Sequence, residues 1–195
     1  MANYVTNNFT ITGKLVDIQH FVIFCFLYTR DHEWEFDFNK IIISPDSIEN
    51  CPSQYILSDD CTIYQRDENR PWFNWYAWSV DNWGTKWNAF DTHFESGIVE
   101  YDDGSAMINF SFLTAWDAPQ GIIYKIIENF PKLDISYAYL EDGFDFCGSY
   151  TSKDGFREVV NYKNNHDEFV NLCVGSGFWD EEYFAEIDEY MFNRI

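Results

Sequence analysis

Residues 106–140 constrain the fold of this chain more than any other stretch. Residues 106–113 alternate apolar and polar and predict a strand. Residues 118–130 predict an amphipathic helix, with Pro119 in its first turn, Pro131 just past its end, and a stripe of Ile122, Ile123, Ile126, Ile127 and Phe130. Residues 134–140 predict another strand. The same mixture recurs along the chain. Strands are expected at 4–12, 36–43, 86–95, 98–101, 144–150 and 157–162, and helices at 14–29, 72–83 and 179–193. Asp102-Asp103-Gly104 supplies hairpin chemistry between 98–101 and 106–113, and Gly84 ends the helix of Trp72, Trp75, Tyr76, Ser79 and Trp83. This order predicts an α+β fold, an antiparallel sheet with helices packed on one face. Residues 1–150 would form the core, 44–71 a long excursion from it, and 151–195 an acidic, helix-bearing extension packed on it.

Charge sets the limits on function. The 195 residues hold 12 Lys+Arg against 33 Asp+Glu, a formal net charge of −21. A chain of that sign does not bind nucleic acid or an anionic membrane through its own field. With 46% hydrophobic residues it is not a disordered acidic tail either. The excess runs through the whole chain. From Lys86 to Lys125 there is no base, but there are Asp91, Glu95, Glu100, Asp102, Asp103 and Asp117; Asp180, Glu181, Glu182, Glu186, Asp188 and Glu189 form a second such run.

Few residues suggest catalysis. The four histidines and five cysteines show no zinc-ligand spacing, and no phosphate-binding glycine loop or nucleophile motif is present, so neither a cofactor nor a metal is expected. The scattered cysteines and an amino terminus without a signal-like pattern fit a reducing host cytoplasm. No apolar run approaches the ~20 residues of a membrane helix. Asp91, His93 and Glu95 would project from one face of a strand whose other face carries Phe90 and Phe94. That row, with the tryptophans at 72, 75, 78, 83 and 87, is the basis of an alternative reading as an enzyme or small-ligand module.

Five peptides carry a resemblance. They are Asn7-Asn8-Phe9-Thr10-Ile11-Thr12-Gly13, Phe36-Asp37-Phe38-Asn39-Lys40-Ile41-Ile42, Asn82-Trp83-Gly84-Thr85-Lys86-Trp87-Asn88-Ala89, Thr114-Ala115-Trp116-Asp117-Ala118-Pro119 and Gly143-Phe144-Asp145-Phe146-Cys147-Gly148. In this order they resemble the YubB ferredoxin-like domain family of phage- and plasmid-borne, Api-type proteins. The resemblance implies a ferredoxin-like core over residues 1–150 and a mobile-element origin. It implies no catalytic residues. Asp117-Ala118-Pro119 departs from the family's usual Ser-Pro-Pro, and residues 151–195 lie beyond the resemblance.

The acid excess then defines the leading expectation. Glu100, Asp102, Asp103, Asp142, Asp145, Asp180, Glu181, Glu182, Glu186, Asp188 and Glu189 would imitate phosphates and occupy the groove of a basic nucleic-acid-binding host protein or effector complex, of the CRISPR or restriction kind. An accessory phage structural role is the further alternative. An exposed aromatic patch would also allow a homodimer.

Overall fold

The computed structural model describes residues 3–45, 75–160, 165–178 and 182. Its centre is β1 (Tyr4–Lys14), which pairs antiparallel with β6 (Ser105–Ala115) on one side and β7 (Asp134–Glu141) on the other. β4 (Phe90–Phe94) and the short β5 (Val99–Glu100) flank β6, while β8 (Phe146–Thr151) and β9 (Gly155–Val160) extend the sheet beyond β7. The order is β4-β6-β1-β7-β8-β9, with β5 off this path on β6. A separate hairpin joins β2 (Phe26–Tyr28) to β3 (Trp34–Phe36).

The helices are α1 (Leu15–Cys25), α2 (Phe38–Ile41), α3 (Trp75–Trp83), α4 (Gln120–Asn129) and α5 (His166–Gly175). β1, α1, β4, β6, α4 and β7 follow one another as strand-helix-strand-strand-helix-strand, and the four strands lie in the order β4-β6-β1-β7. This is the ferredoxin-like α+β arrangement; β8, β9 and α5 add to it.

Alternation explains the core. Along β1 the buried residues are Val5, Asn7, Phe9 and Ile11, and along β6 they include Ala106, Ile108, Phe110 and Phe112. These positions face α1 and α4, which contribute Ile18, Phe21, Ile122, Ile123 and Ile126. Phe110 is the hub. Its ring lies 5.0 Å from Phe9, 5.0 Å from Phe26 and 5.3 Å from Phe36. Each fully buried phenylalanine contributes roughly 1.5–3 kcal/mol, so this stack dominates the stability of the sheet. α5 packs on the reverse face, where Leu140, Cys147 and Val159 meet Phe169, Leu172 and Cys173.

One polar chain crosses the core. Asn7 is fully buried, and its Nδ2 donates to the Val5 carbonyl at 2.8 Å and to Thr114 Oγ1 at 3.0 Å. Tyr137 Oη donates to Asn7 Oδ1 at 2.7 Å, and Thr114 Oγ1 donates to the Asp117 carbonyl at 2.9 Å. Every member is satisfied, as burial requires.

Two expectations from the sequence change. Residues 36–43 are not a strand: β3 ends at Phe36 and Phe38–Ile41 turn into α2. Asp37 Oδ1 accepts the Asn39 N–H at 3.0 Å and Asn88 Nδ2 at 2.8 Å, while Asn88 Oδ1 accepts the Phe38 N–H at 2.8 Å. A cap held by a residue this far along the chain overrides the local β propensity. The helix expected at 14–29 stops at Cys25, and Phe26–Tyr28 pair with Trp34–Phe36 instead. Most of the 44–71 excursion, and all of the 179–193 helix except Glu182, lie outside the described residues.

Candidate functional site

β4 and β5 both lie along one flank of β6. The pairing runs from Phe90 opposite Leu113 to Glu100 opposite Ala106. At about 3.4 Å per residue this flank is about 24 Å long. It carries the exposed carboxylates Asp91, Glu95 and Glu100, with Asp102 in the turn beyond. The β2–β3 hairpin adds exposed Glu33 and Glu35, which line a cleft of about 600 Å³ together with Trp34, Asp91 and Thr92. Thr92 Oγ1 ties the hairpin to the flank by accepting the Phe36 N–H at 3.0 Å. Among the described residues, the bridges from Lys or Arg to a carboxylate are Lys125–Glu128 and Arg157–Glu168, neither on this flank.

The Asp91, His93, Glu95 row is broken. Asp91 has φ 51° and the β4–β6 register shifts between Phe90 and His93. This bulge changes the parity of the strand. Phe94 enters the core against Phe26, 5.2 Å away, but Phe90 packs on the other face against Tyr4 at 5.4 Å and Trp87 at 6.3 Å. His93 and Glu95 share a face, with Glu95 Oε2 accepting from Asn109 Nδ2 at 3.3 Å, while Asp91 turns to the hairpin cleft. Among the described residues no three His, Cys, Asp or Glu side chains are placed to hold a metal ion. The tryptophan series separates as well. Trp78 and Trp83 are buried, the latter donating to the Ile42 carbonyl at 3.0 Å, whereas Trp87 is exposed and Trp72 lies outside the described residues.

The carboxylates expected to form one surface fall at two ends of the sheet. Glu100, Asp102 and Asp103 lie where Lys14 pairs with Ser105; Asp142 and Asp145 lie where Val5 pairs with Glu141. The eleven residues of β1 between them span about 34 Å. Asp103 serves its own turn. Its Oδ1 accepts both the Ser105 N–H and hydroxyl, and these bonds hold its pKa below the usual carboxylate value. Asp142, exposed but beside the buried Glu141, is shifted upwards, by desolvation first and then by the Glu141 charge. Glu182 is exposed, and Asp180, Glu181, Asp188, Glu186 and Glu189 lie outside the described residues.

Sequence reasoning missed Glu33 and Glu35, and placed Asp91 and Glu95 in a ligand row. The base-free interval from Lys86 to Lys125 was the available signal for the flank. The hairpin's place beside it comes from tertiary packing alone.

Fold and surface together define a ferredoxin-like α+β domain with an acidic edge. The family model described as a ferredoxin-like domain in Api92-like protein matches residues 82–171, from the end of α3 into α5. That segment is thus similar to a related ferredoxin-like family. No curated protein and no solved structure matched the chain. Among the described residues no helix is long and apolar enough to cross a membrane.

Proposed function

We propose that this chain is a mobile-element protein, of the YubB kind that its peptides resemble, that binds a basic nucleic-acid-binding host protein and blocks it by presenting carboxylates in place of phosphates. The carrying observation is the flank of β4 and β5 with its hairpin: Asp91, Glu95 and Glu100 are exposed along about 24 Å, Glu33 and Glu35 stand on the hairpin beside them, and Asp102 lies in the turn beyond. One strand of B-DNA carries about seven phosphates over that length, at 3.4 Å each. The flank sets three carboxylates over that length and the hairpin and turn add three more beside it, none with a Lys or Arg bridge among the described residues. A basic groove would be drawn to such an edge over about a Debye length, roughly 8 Å at physiological salt. The target class is a host defence nuclease of the CRISPR or restriction kind.

The test is binding of the purified chain to such nucleases over a salt series, with duplex DNA as competitor. Affinity is expected to fall steeply with salt, DNA to compete, and Glu35→Lys, Glu95→Lys and Glu100→Lys together to weaken binding about 100-fold or more, since several contacts invert sign. Asp134→Lys with Asp154→Lys, on exposed residues away from the flank, should change it little. Salt-independent binding, or a triple variant as tight as the parent, would overturn the reading.

A further inference from the structure

At the other end of the sheet, Glu141 closes β7 with only 2% of its surface exposed. Its Oε1 accepts Asn3 Nδ2 at 2.6 Å, and its Oε2 accepts the N–H groups of Gly143 at 2.8 Å and Asp145 at 3.1 Å. Among the described residues no Lys, Arg or His pairs with it. A buried carboxylate ordinarily has a cation beside it. Here a cavity of about 390 Å³ lies beside it instead, lined by Asn3, Trp116, Glu141, Asp145 and Phe146.

The cavity has the wall chemistry of a cation site. Trp116 is 44% exposed and sits at φ 76°, a region bulky side chains rarely adopt. Its N–H donates to the Asn3 carbonyl at 2.9 Å, which fixes the backbone in that strained position. The ring already attracts a cation within the molecule: Lys86 Nζ lies 4.1 Å from its centroid and 4.7 Å from that of Trp87. Lys86 is not part of the cavity wall. Trp87 in turn packs on Phe90, the residue before Asp91, so the Lys86 ammonium between the two indoles joins Trp116 to the start of the acidic flank.

We propose that this cavity is a socket for an arginine side chain of the basic partner, an assignment that rests on the proposed function. The guanidinium stacks on the Trp116 indole beside Phe146 and donates to the Asp145 and Glu141 carboxylates. Arginine suits it better than lysine because its plane matches the aromatic walls and its fork of donors matches two acceptors. Asp145 is the exposed carboxylate that draws the cation in; Glu141 is the buried one whose charge the cation compensates.

The full chain is titrated with the capped tripeptide Gly-Arg-Gly and its lysine and citrulline counterparts, following the Trp116 indole N–H by NMR. The arginine peptide should shift that signal saturably, bind at least about 5-fold tighter than the lysine peptide, and leave citrulline without effect. Asp145→Asn should weaken it about 5-fold, the worth of one exposed charge-assisted bond. In Trp116→Gly the titration is followed through the Asp145 backbone amide, because the indole is gone; binding should be lost while the chain stays folded, since glycine relaxes the positive φ. Equal shifts with citrulline, or no change in Asp145→Asn, would overturn the socket. The same two variants separate it from the acidic flank. If the parent captures a nuclease and both variants capture it equally well, the socket falls and the flank reading stands. Arginine binding by a chain that captures no nuclease keeps the socket and removes that partner.

Discussion

Tyr137→Phe isolates the polar chain that crosses the core. The ring is 1% exposed and its hydroxyl makes a 2.7 Å bond to Asn7 Oδ1. Removing one oxygen leaves the aromatic packing intact and leaves Asn7 Oδ1 without that donor in a site that excludes water. A buried acceptor stranded this way costs about 1–3 kcal/mol. Taking about 2 kcal/mol, and roughly 2–4 °C per kcal/mol for a chain of this size, the melting temperature should drop by about 4–8 °C at pH 8. The pH dependence is sharper. Burial, then the charges of Tyr139 and Asp117, push the Tyr137 pKa well above the ordinary value. The folded chain therefore keeps the proton while the unfolded chain loses it near pH 10. The stability tied to that proton is complete below pH 10 and is lost as pH rises towards the folded value, by about 1.4 kcal/mol per unit. Tyr137→Phe has no such proton to lose. Urea unfolding of both proteins at pH 8 and pH 11 should find the gap between them smaller at pH 11 by about 1.4 kcal/mol. A gap identical at the two values would refute the assignment of the buried hydroxyl. So would a cost below about 0.5 kcal/mol at pH 8.

Gly148→Ala should also destabilise the fold, by about 1–3 kcal/mol. A Cβ there would lie 2.4 Å from the Tyr139 ring, and displacing that ring breaks its 3.1 Å bond to Glu158, which Tyr139→Phe would break without the clash; equal stability of Gly148→Ala and wild type in urea would count against this packing. Asp117 has its pKa raised, by burial first and then by Glu158, so its contribution is present at low pH and lost as pH rises through its folded value. Together with self-repulsion at net charge −21, this should make the melting temperature rise as pH falls from about 7.5 towards the ordinary carboxylate value of about 4, less so in Asp117→Asn. A steady fall over that range would exclude it.

The elements legible in the sequence are those whose signals are local. α4 stands between Pro119 and Pro131 with Ile122, Ile123 and Ile126 buried and Ile127 half-buried, and the Asp-Asp-Gly turn joins β5 to β6. α2 was illegible because its cap depends on Asn88. The side taken by Phe90 was illegible because it depends on the bulge at Asp91, an aspartate that tolerates the left-handed region without announcing it. α5 did leave a signal: Phe169, Leu172 and Cys173 stand at helical spacing and are its buried residues. The site divides in the same way. The base-free interval marks the flank, but neither the hairpin beside it nor the joining of Asn3, Trp116 and Glu141 follows from spacing, since β1, β6 and β7 bring them together from distant parts of the chain.

The two compositional excesses, 21% aromatic and a charge of −21, have one structural resolution. One face of the sheet is filled by rings, so the helices α1 and α4 need cover only that face. On the reverse, α5 packs against β7, β8 and β9, while between their ends β1 and β6 present Thr6, Asn8, Thr10, Thr12, Met107, Asn109, Ser111 and Leu113. These are uncharged. Carboxylates on that face would stand about 4.5–5.5 Å from cross-strand neighbours, where like charges destabilise a sheet. Placed along an edge instead, alternate positions are about 6.6 Å apart and face water, where a pair repels by only about 0.6 kcal/mol before salt screens it. The edge thus concentrates a one-signed field at small cost to folding. A surface serving solubility alone would gain as much from mixed charges with a small net excess. Keeping β1 and β6 neutral on that face and the edge acidic is the arrangement that the proposed basic groove would read.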